Sequence, residues 1–184
     1  MGSLVSGFVV KVFGIVGRSG SGKTTLIERL VPALVSRCLV VSLIKHAHHG
    51  FDIDRPGKDS WRHREAGCSE VLLTCDDRWA LMHELRGRRE PSLEELLAKL
   101  SPCDLVLIEG FKAIDCPKLE VWRPSLGKAP LFPGSGVLAV ASDERFPAPI
   151  PVIDLSDLEA LTDLVLSAAW GRGSACAAAV MLGG

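Results

Sequence analysis

Gly17-Arg18-Ser19-Gly20-Ser21-Gly22-Lys23-Thr24 decides the fold. It satisfies G-x-x-x-x-G-K-[ST], the pattern of a phosphate-binding loop, which belongs between a strand and a helix. Both flanks agree. Phe8-Val9-Val10-Lys11-Val12-Phe13-Gly14-Ile15-Val16 is apolar and β-branched and predicts a buried strand. Thr24-Thr25-Leu26-Ile27-Glu28-Arg29-Leu30-Val31 places apolar residues at helical spacing and predicts a helix to about Ser36, with Pro32 inside it. Gly17, Gly20 and Gly22 let the backbone wrap closely, so that N–H groups from Ser19 to Thr25 aim at phosphate oxygens. The helix N-terminus adds partial positive charge. Lys23 would reach the β- and γ-phosphates, Thr24 would coordinate Mg²⁺, and Thr25 would lie by the α-phosphate.

Working outward, strands are predicted at 38–44, 70–75, 78–85, 105–108, 136–141 and 151–153. Lys118-Leu119-Glu120-Val121-Trp122 alternates like a half-exposed strand. Helices are predicted at 60–66, with Gly67 as C-cap, and from two S-x-x-E capping boxes: Ser92–Glu95, running to about Leu100, and Ser156–Glu159, running to about Trp170. Strands alternating with helices imply an α/β fold of the P-loop NTPase type, a mostly parallel sheet flanked by helices. The stretch from Val71 to Leu85 reads as an inserted β-hairpin. The expected organisation is one nucleotide-binding domain over residues 1–170 and a Gly/Ala/Ser-rich tail, 171–184, without a legible pattern.

The bulk numbers are restrictive. With 21 Lys and Arg against 22 Asp and Glu, the net charge is −1, so nothing argues for general nucleic-acid binding. No apolar run is long and clean enough to span a membrane, and the expected location is cytoplasmic. The six cysteines form no C-x-x-C pair and are expected to be reduced and mostly buried.

Beyond the loop, carboxylates are the informative residues. Glu109 ends a buried strand, where an acid can serve Mg²⁺ or orient a nucleophile. The polar segment after the second strand carries His46, His48 and His49, then Asp52 and Asp54. In an extended loop the two aspartates share a face, and one of them would join the metal or orient water. The three histidines lack the further ligands that would close a tetrahedral metal site. Asp143 follows a buried strand and would accept from the N1–H and exocyclic amine of guanine, although no N-K-x-D unit surrounds it. Lys23, Glu109 and Asp54 are the candidates for chemistry. Thr24, Glu109 and Asp52 are the candidates for metal. Arg55, Gly57 and Lys58 would close over the nucleotide.

Several stretches together carry a resemblance. Leu43-Ile44-Lys45-His46-Ala47-His48-His49, Asp52-Ile53-Asp54, Pro56-Gly57-Lys58-Asp59-Ser60, Arg64-Glu65-Ala66-Gly67, Arg78-Trp79-Ala80-Leu81-Met82, Leu107-Ile108-Glu109-Gly110-Phe111-Lys112 and Val140-Ala141-Ser142-Asp143 occur in order. Over about residues 8–170 the chain resembles the MobB family of molybdopterin-guanine dinucleotide biosynthesis adapter proteins. The resemblance implies a GTP-binding homodimer, joined partly through hairpin strands. It implies weak Mg²⁺-dependent GTPase activity and a partnership with the guanylyltransferase that attaches GMP to molybdopterin. It favours GTP over ATP more than any single residue does. Two other classes share the loop. A metal-insertion GTPase would bind nickel or zinc stoichiometrically through the histidines, and a small-molecule kinase would need an acceptor site, for which no signature is present. No arginine finger is assignable, in keeping with slow turnover.

Overall fold

The computed structural model describes residues 10–47, 50–132 and 136–172. His48, His49 and the tail from residue 173 onward therefore lie outside the described residues, as do Phe8 and Val9 of the first predicted strand. In chain order the elements are β1 (Val10–Val16), α1 (Lys23–Val35), β2 (Val41–Lys45), α2 (Asp59–Glu65), β3 (Glu70–Thr74), β4 (Trp79–His83), α3 (Leu93–Leu97), β5 (Leu105–Glu109), β6 (Lys118–Val121), a 3-10 turn (Pro124–Leu126), β7 (Val137–Ser142), β8 (Val152–Asp154), α4 (Leu158–Ala168) and β9 (Trp170–Arg172). They gather into two compact units, Met1–His46 with Ala98–Gly184, and Ala47–Leu97.

The first unit holds a sheet in the order β2-β5-β1-β6-β7-β8. Every neighbouring pair in that path is parallel. β9 lies antiparallel against the first half of β1, Val10–Val12. Parallel strands are buried on both faces, which is why β1 and β5 read as continuous apolar runs. On one face Phe13, Ile15, Leu105, Leu107, Leu119, Val121, Ala139 and Ala141 alternate along four strands and pack with Leu26, Leu30 and Leu34 of α1 and Leu161 and Val165 of α4. At about 1.5–3 kcal/mol for each large side chain, this layer is the main source of stability in the unit.

The other face corrects the expectation for β6. All four of its residues are buried, including Lys118 and Glu120. Alternation of charge with apolar residues predicted a solvated side, but the chain folds back over it. The Glu120 carboxylate accepts from the Leu131 and Phe132 amides at 2.7 and 3.0 Å. Gly14 makes room for this layer, since a Cβ there would stand 2.8 Å from Lys118 Cγ.

Two further expectations change. α4 is capped by Asp157, whose carboxylate accepts from the Ala160 amide, rather than by Ser156. Ser156 donates instead to Asp154 through both its amide and its hydroxyl. The helix stops at Ala168, and Trp170 enters β9. The thiols also differ from expectation: Cys38, Cys68 and Cys75 are exposed, Cys103 is half-buried and Cys116 is buried.

The second unit is small. β3 and β4 form the expected hairpin as a separate two-stranded antiparallel sheet. The reciprocal capping box of α3 forms as read: Glu95 N–H donates to Ser92 Oγ, and Ser92 N–H donates to Glu95 Oε2. No helix among the described residues is long and apolar enough to cross a membrane.

Candidate functional site

Strand order explains where the site falls. The chain leaves β1 toward β2 on one side and returns to β6 on the other, so the order reverses at β1. Ligands in open parallel sheets bind outside the carboxyl ends of the strands at such a reversal. The loop from Gly17 to Gly22 sits there, between the tips of β5 and β6.

Gly17, Gly20 and Gly22 have φ of 150°, 84° and 96°. At Gly17 a Cβ would also stand 2.4 Å from the Val121 carbonyl oxygen, so the loop hugs the tip of β6. Gly22 caps α1 without any side-chain hydrogen bond, and the first turn of the helix carries no acid. The N–H groups that open α1 are thereby left to an external anion. Ser21 Oγ is buried with no hydrogen-bond partner among the described residues. An unmatched buried hydroxyl costs free energy and fits a cradle shaped for a polar ligand.

Lys23 Nζ donates to the carbonyls of Gly17 and Arg18 at 3.1 and 2.9 Å, folded over its own loop. Burial pushes its pKa below the usual lysine value. Glu109 opposes that shift, while Lys112 and Lys45 add to it. Lys45 and Lys112 thus crowd Lys23 while Glu109 offsets them, a local excess of positive charge suited to a polyanion.

Glu109, at the tip of β5, is 6 % exposed. Its Oε1 accepts from Thr24 Oγ1 at 3.2 Å, and Lys45 Nζ stands 3.5 Å from its Oε2. The hydroxyl and carboxylate predicted to serve Mg²⁺ are therefore adjacent. An all-oxygen pair of this kind fits a hard divalent cation that keeps several waters. Ser19, Gly20, Thr24 and Thr25 are exposed at the mouth of the loop.

Asp143 lies just past β7, and its carboxylate forms an ion pair with Arg123 Nη1. Arg123 also donates through Nε to the Ser21 carbonyl at 3.0 Å. Sequence reading missed Arg123, which directly follows the strand predicted over Lys118–Trp122. The available signal was its position: the second residue past a buried strand that borders the phosphate loop.

In the second unit Asp52 and Asp54 do fall together, and Arg64 is what gathers them. Arg64 Nη2 donates to both oxygens of Asp52, its Nε stands 3.5 Å from Asp54 Oδ2, and its Nη1 donates to Glu84 Oε1 at 2.7 Å. Asp54 also accepts from Ser60 Oγ at 2.7 Å and from the Arg55 amide at 3.1 Å. The Glu84 hydrogen bond, with those of Asp52, raises the Arg64 pKa further above the usual arginine value. Arg55, Gly57 and Lys58 are exposed, with Gly57 at φ 85°. His46 stays with the first unit, its ring 4.3 Å from that of Phe111. Among the described residues no three His, Cys, Asp or Glu side chains are grouped to hold a metal.

Sheet order, loop and acid define an α/β protein built on the P-loop nucleotide-binding fold. The family model described as molybdopterin guanine dinucleotide synthesis protein B matches residues 12–143. The chain is 41% identical over 152 residues to the molybdopterin-guanine dinucleotide biosynthesis adapter protein of Escherichia coli, covering 80% of this chain and 87% of that one. It is 40% identical to the adapter protein of the same description from Haemophilus influenzae, covering 85% and 88%. The crystal structure of Bacillus subtilis MobB superposes with a TM-score of 0.68 at 27% identity, covering 88% of this chain and 99% of that one. The chain belongs to the MobB family.

Proposed function

We propose that this chain is a GTP-binding adapter in the biosynthesis of molybdopterin-guanine dinucleotide, working in the cytoplasm beside a guanylyltransferase. The observation that carries the reading is the pairing of Thr24 with Glu109 at 3.2 Å beside a glycine loop, in a member of the MobB family. Ser19 to Thr25 would hold the triphosphate through backbone N–H groups and Lys23. Thr24 and Glu109 would hold Mg²⁺, which supplies charge neutralisation between phosphate oxygens. The Glu109 carboxylate orients the Thr24 hydroxyl. Lys45 and Lys112 add positive charge around Lys23. Asp143 would read guanine, and Arg55, Gly57 and Lys58 would be further nucleotide contacts. Asp52 or Asp54 would join the metal or orient water after release from Arg64. Hydrolysis by this set is slow, since positioning and charge supply the only acceleration.

The hairpin supports a homodimer. Leu72 pairs with Leu81 and Thr74 with Trp79, on one face. Leu72 and Trp79 are 61% and 62% exposed, an apolar surface that a second copy would cover.

Calorimetric titration with GTP and with ATP, each with Mg²⁺, tests the reading. Tight GTP binding that Lys23→Ala abolishes is expected. Asp143→Asn should turn preference toward xanthosine triphosphate, because an amide can donate to the xanthine 2-carbonyl. Binding unaffected by Lys23→Ala would remove the loop from the site.

A further inference from the structure

The phosphate loop has a charged neighbour on each side. On the β5 side Glu109 holds the Thr24 hydroxyl. On the β6 side stands Arg123, and one planar group there joins the phosphate loop to a carboxylate 20 residues further along the chain. Its Nε donates to the Ser21 carbonyl at 3.0 Å. Its Nη1 donates to Asp143 Oδ2. Its Nη2 lies 3.5 Å from where a Cβ on Gly22 would stand, so the guanidinium rests in van der Waals contact with the loop. Arginine suits such a bridge because its donors are fixed in one plane, whereas lysine offers a single compact head.

A stabilising role explains this poorly. The Arg123 and Asp143 side chains are 36% and 37% exposed, and ion pairs that open to water add little to stability. What the bridge does achieve is placement. It ties the carboxylate beyond β7 to the backbone of the phosphate loop through one rigid fork.

We propose that Arg123 is a positioning residue for base selection, resting on the reading of Asp143 as the group that meets the base. Arg123 keeps the Asp143 carboxylate at a set place relative to the triphosphate. Oδ2 stays on the guanidinium, and Oδ1 accepts from the ligand. A base edge that presents adjacent N–H donors, as guanine does, gains from that placement. Adenine presents an acceptor at N1 and does not. Inorganic tripolyphosphate has no base and is indifferent to it.

The test uses the full chain with Mg²⁺ and compares GTP, ATP and inorganic tripolyphosphate by calorimetry for wild type, Arg123→Ala and Arg123→Lys. GTP affinity should fall about tenfold in Arg123→Ala, the scale of one charge-assisted hydrogen bond. ATP and tripolyphosphate should change by less than about threefold, within one weak contact. Arg123→Lys should recover part of the GTP affinity and none of the other two. Equal loss for all three ligands would mean that Arg123 only braces the loop, and it overturns the proposal, as does no loss at all. Thermal unfolding checks that the variants fold, and Arg123→Lys decides the matter if Arg123→Ala does not. A wild-type chain that binds GTP and ATP alike fails differently: it removes the guanine reading itself, and the positioning role goes with it.

Discussion

The two units of this chain are built on opposite physical terms. The unit carrying the phosphate loop puts its apolar residues inside: Phe13, Leu30, Leu107 and Leu161 are wholly buried beneath the sheet. The Ala47–Leu97 unit leaves Phe51, Ile53, Leu72 and Trp79 on the surface, and among its described apolar residues only Leu93 is buried. Its order comes from charge, with Arg64 drawing in Asp52, Asp54 and Glu84. A two-stranded hairpin is marginal alone, so exposed apolar area and a charged hub are what remain to organise it. The loop of the first unit is therefore preformed by packing, while the carboxylates of the second are held by an ion pair that can exchange partners.

The strongest way to break this contrast is to cut one leucine from each. Leu107→Ala should destabilise the chain by about 2–5 kcal/mol, as full burial with little room for relaxation implies. Leu72→Ala should cost no more than about 0.5 kcal/mol in urea unfolding at low concentration. Its effect should appear in sedimentation equilibrium as weakened self-association. Equal costs in urea would show that the hairpin face is buried in the monomer.

Arg64→Ala comes next. It strands the Asp54 carboxylate, whose side chain is 7% exposed. Amide protection from about residue 50 to 66 and across β3–β4 should fall, measured by hydrogen exchange, while β1 and β5 keep theirs. Loss of protection in β1 as well would sink the view that the two units are stabilised separately.

These differences explain what was legible. The phosphate loop, its flanking strand and helix, Glu109 and the hairpin follow from local signals: glycine spacing, β-branched runs, and an acid at the end of an apolar strand. The burial of β6 was not legible, because Glu120 is satisfied by amides eleven and twelve residues away. Arg123 was hidden for the same reason, since its acceptors lie 102 and 20 residues away. Likewise the cap of α4 shifted by one residue, because Asp154 competes for Ser156. Long-range pairing of polar groups leaves no periodicity, and a single chain gives no sign of it.

Lys23 sharpens the account of the preformed loop through pH. Its folded pKa is lowered by burial, so the unfolded chain keeps this proton to higher pH. Stability should therefore rise with pH between the lowered value and the ordinary 10.5, as a desolvated charge is released. Nucleotide affinity should move the other way. A polyphosphate favours charged Lys23, so affinity falls by up to about tenfold per pH unit above the lowered pKa. Proton uptake on GTP binding by the wild type, measured in buffers of different ionisation heat, should appear near that pH and be absent well below it.

The smallest expected effect tests the charge-built unit at its surface. Arg89 grips Glu95 with two nitrogens, at 2.7 and 2.8 Å, and Ser92 N–H donates to the same carboxylate at 2.8 Å. Arg89 is the larger cause, and together they hold the Glu95 pKa down to about 2. A depressed carboxylate contributes stability that is present above its ordinary 4.5 and is lost as pH falls through about 2. Arg89→Ala removes the guanidinium and keeps the capping box. Carboxyl-carbon NMR should then show Glu95 titrating higher, still short of 4.5. Added salt should do part of the same in the wild type, since exposed pairs are screened. An unmoved titration in Arg89→Ala would mean that the helix cap alone sets this carboxylate, and that charge organises the unit only where Arg64 is shielded from water.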